Sequence, residues 1–101
     1  MNTTDIKEPV RLLSKIFAAN ESIVVNLDSA GTGDDFGTLM IKNNTGLSAQ
    51  FLWQKNISYT SKGYFKEIKN DLGATVAHHD GIIAITNGGV EQYLQADLTE
   101  S

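Results

Sequence analysis

Apolar residues recur along this chain with two different periods. From residue 5 to residue 20, Ile6, Val10, Leu13 and Phe17 fall four, three and four apart, and Leu12 and Ile16 widen the stripe. That spacing marks one face of an α-helix. Asp5 or Glu8 suits its N-terminal end, where acids meet the helix dipole. Pro9, the only proline, suits the first turn, and Asn20 suits the stop. Phe65, Ile68 and Leu72 predict a second helix over residues 61–73, with Lys62, Lys66 and Lys69 turned to solvent. Ser61 would cap it and Gly73 would follow its end. Val90, Tyr93, Leu94 and Leu98 predict a third within "GGVEQYLQADLTES" (88–101).

Between these stretches the period drops to two, as in strands. In "SIVVNLD" (22–28), Ile23, Val25 and Leu27 share a face; "FGTLMIK" (36–42) is a further strand. In "LSAQFLWQ" (47–54), Leu47, Ala49, Phe51 and Trp53 point one way, and Leu52 interrupts the polar side. "NNTG" (43–46) reads as a turn, so these three strands are expected to form a meander. "ATVAHH" and "IIAITN" flank Asp80-Gly81, a strong hairpin signal because both central residues of a type I′ turn need positive φ.

The expected order is α-β-β-β-α-β-β-α. It implies an α+β fold: a single two-layer domain over residues 1–101, with a mostly antiparallel five-stranded sheet and helices packed on one face. Residues 1–4 and 99–101 are expected to fray.

A chain of 101 residues with 41% hydrophobic and 20% charged positions is ordinary for one globular domain. There is no cysteine, which excludes a disulfide framework, a zinc-thiolate site and a thiol nucleophile, and favours a reducing compartment. No apolar run reaches the roughly 18 residues of a membrane helix, and "MNTTDIKEPV" lacks the layout of a signal peptide. A cytoplasmic protein of bacterial or phage character is expected. Charge is unevenly spread: residues 1–41 carry three basic and six acidic side chains, residues 42–69 five and one, residues 70–101 none and five, which sums to the net −4.

Candidate chemistry is sparse. "AHHDG" (77–81) holds the only histidines, His78 and His79. On a strand, neighbours point to opposite faces, so the pair cannot chelate one metal from regular geometry. A metal or acid–base site would need Asp34 and Asp35 from the "SAGTGDD" loop (29–35). That loop carries no lysine and leads into a strand, so it is not a phosphate loop. No Gly-x-Ser-x-Gly elbow is present. No catalytic, cofactor or metal residue is assigned. Phe51, Trp53, Tyr59, Tyr64 and Phe65, set among lysines in residues 51–69, have the makings of a single-strand nucleic-acid surface, but the acidic balance opposes it.

The favoured expectation is therefore a non-enzymatic accessory domain that binds another protein, as a chaperone or as an immunity-type or phage-type inhibitor, with a homodimer compatible with that role. Trp and Tyr are the commonest anchors of such surfaces, which singles out Trp53, Tyr59, Tyr64 and Tyr93, with Leu52 on the otherwise polar face. The inferred element order, small size and acidic balance resemble those of small type III secretion chaperones. That resemblance implies an α/β homodimer holding an unfolded stretch of a second protein.

Overall fold

The computed structural model describes residues 9–27, 36–54, 64–79 and 81–100. Eight strands run through them: β1 (Val10–Phe17), β2 (Ser22–Asn26), β3 (Phe36–Lys42), β4 (Ser48–Gln54), β5 (Tyr64–Asn70), β6 (Thr75–His79), β7 (Ile82–Thr86) and β8 (Gln92–Glu100). They form two sheets with every neighbour antiparallel, one in the order β1-β8-β3-β4-β5 and one in the order β2-β7-β6. Alternation fills the space between them. Leu39, Ile41, Ala49, Phe51, Trp53, Leu94, Ala96 and Leu98 come from the larger sheet, and Ile83 and Ile85 from the smaller one, with Ile23, Val25 and Val76 packed against them. The result is a β-sandwich.

This overturns the α+β expectation and, with it, the resemblance to the secretion chaperones. Among the described residues there is no helical element, and a second sheet, not a layer of helices, covers the core. Each helix-like stretch is a strand, for a definable reason. In β1 the register with β8 slips between Arg11 and Leu13. One inserted residue turns a two-residue period into a three-residue step, so Val10, Leu13 and Phe17, which face Leu98, Ala96 and Gln92, stand three and four apart. In β5 the register with β4 slips between Gln50 and Phe51, leaving Ile68 as the inserted residue. The apparent stripe there is one inward residue (Phe65), one exposed bulge residue (Ile68) and one buried corner residue (Leu72). In β8, Leu94 and Leu98 are four apart, which suits either period, but buried Ala96 between them fixes the strand. The expected meander is also corrected. β3 and β4 do pair, whereas β2 lies in the other sheet beside β7.

The chain passes between sheets at one end of the sandwich three times: through residues 18–21, 71–74 and 87–91. Asn87, 2% exposed, ties these corners together. Its side-chain amide donates to the carbonyls of Phe17 (3.2 Å), Ala18 (3.0 Å) and Val90 (2.9 Å). Its Oδ1 accepts from the Gly88 N–H (2.8 Å) and from Gln92 Nε2 (2.9 Å), which also donates to the Leu72 carbonyl (2.9 Å). Backbone bonds run from Asn20 to Gly88 and from Asn87 to Glu21, both 2.8 Å. The corners pack so closely that a Cβ on Gly88 would lie 2.5 Å from the Gly73 carbonyl oxygen. On the flank of the sandwich, Phe51, Phe65 and His78 stack in sequence, with ring centroids 5.0 and 5.1 Å apart, and so join the edge strands of the two sheets.

Candidate functional site

Side chains of the larger sheet that do not enter the core form its outer face. Cross-strand pairing sets them in rows: Arg11, Asp97, Met40, Gln50 and Lys69; then Thr99, Thr38, Leu52 and Lys66; then Phe36, Gln54 and Tyr64. Most of the side chains on this surface are polar or charged, as expected for the solvated side of an antiparallel sheet. Ile16, beside Tyr93, is exposed at one end of it, and three further large apolar side chains stand together at the other. Phe36 is 56% exposed, Leu52 42% and Tyr64 50%. Leu52 pairs with Thr38 on one side and Lys66 on the other, so Phe36 and Tyr64 are its diagonal neighbours on β3 and β5. Diagonal partners of this size are within reach of one another on a sheet.

The charge on this face is opposite in sign to that of the chain. Arg11, Lys42, Lys66 and Lys69 stand against two acids, Asp97, which Arg11 engages, and Asp71, 3.4 Å from Lys69 Nζ, whereas the whole chain carries −4. Along β8 the polar groups are linked to one another. The hydroxyls of Ser14 and Tyr93 are 2.7 Å apart, Tyr93 donates to Gln95 Oε1, Gln95 Nε2 donates to Asp97 Oδ2, and Arg11 Nε donates to Asp97 Oδ1. Partial burial pushes the Asp97 carboxyl up, but the hydrogen bonds from Gln95 and Arg11 and the charges of Arg11 and Lys42 outweigh it and hold the group below its ordinary value. At the corner, a hydrogen bond from Lys15, then the Ala18 N–H, hold the Glu21 carboxyl below its ordinary value as well.

The residues singled out from sequence are distributed as follows. Leu52 and Tyr64 meet on the outer face. Tyr93 lies on the same face at the opposite end, bonded into the β8 ladder. Trp53 is a core side chain, with its indole N–H unpartnered among the described residues. Tyr59 lies outside the described residues. Phe36 joins the patch and was not singled out. Its signal was present, since alternation that buries Leu39 and Ile41 must turn Phe36 outward with Thr38 and Met40.

In the other candidate stretches, His79 pairs with Ile82, so two residues join β6 to β7, and Gly81 has φ +85°. His78 turns inward, where its ring stacks on Phe65 and its Nε2 accepts the Gly81 N–H at 3.0 Å; His79 turns outward. Asp34, Asp35 and Asp80 lie outside the described residues. Among the described residues, no group of three or more His, Cys, Asp or Glu could hold a metal ion, and no helix is long and apolar enough to cross a membrane. Of the aromatics considered for nucleic acid, Phe51 and Trp53 are buried and Phe65 is half-buried. A cleft of about 440 Å³ opens at the corner end beside Ile16, Asn44, Glu91 and Tyr93. Its amide walls are already engaged. Asn43 Oδ1 accepts from Thr45 and Leu47, and its Nδ2 donates to Gln92.

No protein-family model matches this chain, and neither a curated protein nor a solved structure shows similarity to it.

Proposed function

We propose that this chain is a cytoplasmic, non-enzymatic binding domain that docks another protein on the outer face of its larger sheet. The observation that carries the reading is the cluster of Phe36, Leu52 and Tyr64, exposed as diagonal neighbours on a face whose other side chains are mostly polar or charged. An apolar centre with a polar rim is the anatomy of a protein interface. The rim is basic, through Lys66 and Lys69 beside the patch and Arg11 and Lys42 further along. The partner's surface is therefore acidic around an apolar anchor, and charge steers the encounter. The cytoplasmic assignment is supported by the lack of cysteine.

The test places a photo-crosslinking residue at position 52 and, as a control, at position 24 on the other sheet, in the cells that make the protein. A partner captured only from position 52 is purified and titrated against the wild type, Leu52→Asp and the double variant Lys66→Glu/Lys69→Glu. The expected result is loss of binding in Leu52→Asp and at least a tenfold weakening in the charge-reversed double variant. Equal capture from both positions, or full binding by Leu52→Asp, refutes the reading. Salt-dependent binding of mixed-sequence single-stranded oligonucleotides by the wild type, lost in the double variant, would replace the protein partner by nucleic acid.

A further inference from the structure

Asn87 is the only asparagine in the chain that is followed by glycine. That pair carries chemistry of its own. With no Cβ on the second residue, its backbone nitrogen can swing freely onto the side-chain amide carbon. The nitrogen gives its proton to a solvent base and attacks Cγ. The new C–N bond closes a succinimide ring, the Cγ–Nδ2 bond breaks, and the side-chain nitrogen takes up a proton and leaves as ammonia. Water then opens the ring at either carbonyl, giving aspartate or isoaspartate and an added negative charge.

The closed corner keeps each participant from this reaction. The Gly88 N–H, whose proton must leave, is engaged with Asn87 Oδ1 at 2.8 Å. A nitrogen whose N–H points at the oxygen is not aimed at the carbon, so attack requires the side chain to turn. Turning it breaks the bonds from Nδ2 to the carbonyls of Phe17, Ala18 and Val90. Those three groups are acceptors and have no proton to give to departing ammonia. Gln92 Nε2, 2.9 Å from Oδ1, would favour charge on that oxygen, but it is the one contact that helps. Gly88 has little room to shift, because a Cβ on it would already stand 2.5 Å from the Gly73 carbonyl oxygen. At 2% exposure the side chain is also shielded from solvent base and water.

We propose that Asn87-Gly88 is a deamidation site gated by the fold: inert while the three corners are closed, reactive once they open, and unable to close them again afterwards. An aspartate has no hydrogen for the carbonyls of Phe17, Ala18 and Val90 and sets a negative charge against them. An isoaspartate also lengthens the backbone by a methylene where Gly88 meets Gly73. Every opening thus risks a one-way loss, and the working life of the folded chain is set by how often its corners open. Nothing in this depends on the face proposed for the larger sheet.

The test incubates the full chain at neutral pH without urea, in urea below the unfolding midpoint, and in urea above it. Peptide mapping by mass spectrometry follows the gain of one mass unit at Asn87. The expected rate in the folded chain is about a hundredfold or more below that of the unfolded chain, and it rises with the fraction of molecules opened by urea. The deamidated chain, separated by its extra negative charge, should fail to regain the native circular dichroism spectrum on removal of urea, whereas chain freshly unfolded and still amidated regains it. Deamidation of the folded chain at the unfolded rate overturns the proposal. So does an unfolded chain that leaves Asn87 intact, or a deamidated chain that refolds with the wild-type urea midpoint.

Discussion

Replacing Asn87 by alanine should remove a large part of the stability of the sandwich. The side chain is 2% exposed and makes five polar contacts. Its two amide hydrogens serve three carbonyls, so at least one is shared. The loss therefore amounts to about four hydrogen bonds, each worth roughly 0.5–1.5 kcal/mol net. Water entering the vacated space would recover part of that. A net loss of about 3 kcal/mol follows, against a typical total of roughly 5–15 kcal/mol for a domain. At about 4–8 °C per kcal/mol for a domain near 100 residues, the melting temperature should fall by roughly 12–24 °C. Urea unfolding followed by circular dichroism, with the denaturant slope held constant, measures the same quantity independently. Asn87→Asp sharpens the test. It keeps the acceptor oxygen but sets a carboxylate against the carbonyls of Phe17, Ala18 and Val90, so it should be at least as damaging as alanine. A loss below about 1 kcal/mol for Asn87→Ala, or an aspartate variant as stable as the wild type, would show that the corners are held by something else.

Gly88→Ala should destabilise by about 1–3 kcal/mol, because its Cβ would meet the Gly73 carbonyl at 2.5 Å, whereas Gly89→Ala, with open space around it, should remain within about 0.5 kcal/mol in the same urea assay. Asn20 has φ +63°, so Asn20→Gly should be close to neutral in melting temperature and Asn20→Val should cost about 1–2 kcal/mol. Glu21 and Asp97 are held below their ordinary values of 4.5 and 3.8, so the folded state binds fewer protons than the unfolded one. Their contribution is present above those values and is lost as pH falls through the lowered ones. The urea midpoint should therefore drop below about pH 4.5. Glu21→Gln combined with Asp97→Asn should flatten that drop, and an unchanged profile would remove these two groups from the acid transition.

Five of the eight strands can be read from local pattern. Ile23 and Val25, Leu39 and Ile41, and Ala49, Phe51 and Trp53 alternate cleanly, and Asp80-Gly81 separates β6 from β7. The other three mislead because periodicity is a one-dimensional signal. A bulge at Leu12 gives β1 the three-and-four spacing of a helix, and the bulge at Ile68 does the same for β5. Which sheet a strand joins depends on partners far along the chain, as with Val10 beside Leu98, and no local motif encodes that. The role of Asn87 is equally hidden, since "TNGG" has the composition of a surface turn. On the candidate face, Leu52 is legible as a break in a polar alternation. The alternation that exposes Leu52 also buries Trp53, so the residue type most common at interfaces serves the core here.

The order of strands in the larger sheet sets a timetable for folding. β8 sits between β1 and β3, so one of the sheet's inner positions is filled by a segment some eighty residues downstream of β1. Until β8 arrives, β1 has no hydrogen-bonding partner, and β3 is left open along one side. Loop closure over such a span must be completed before the contacts that reward it can form, and topologies dominated by distant pairings fold in milliseconds to seconds, not microseconds. While β8 is missing, the open side of β3 is an unpaired strand next to exposed leucines and isoleucines, the kind of surface on which partly folded β-proteins aggregate. The bulges in β1 and β5 stand at the two outer edges of the finished sheet, where they discourage edge-to-edge pairing. They give no such protection to the inner edge, which is safe only once β8 has closed it.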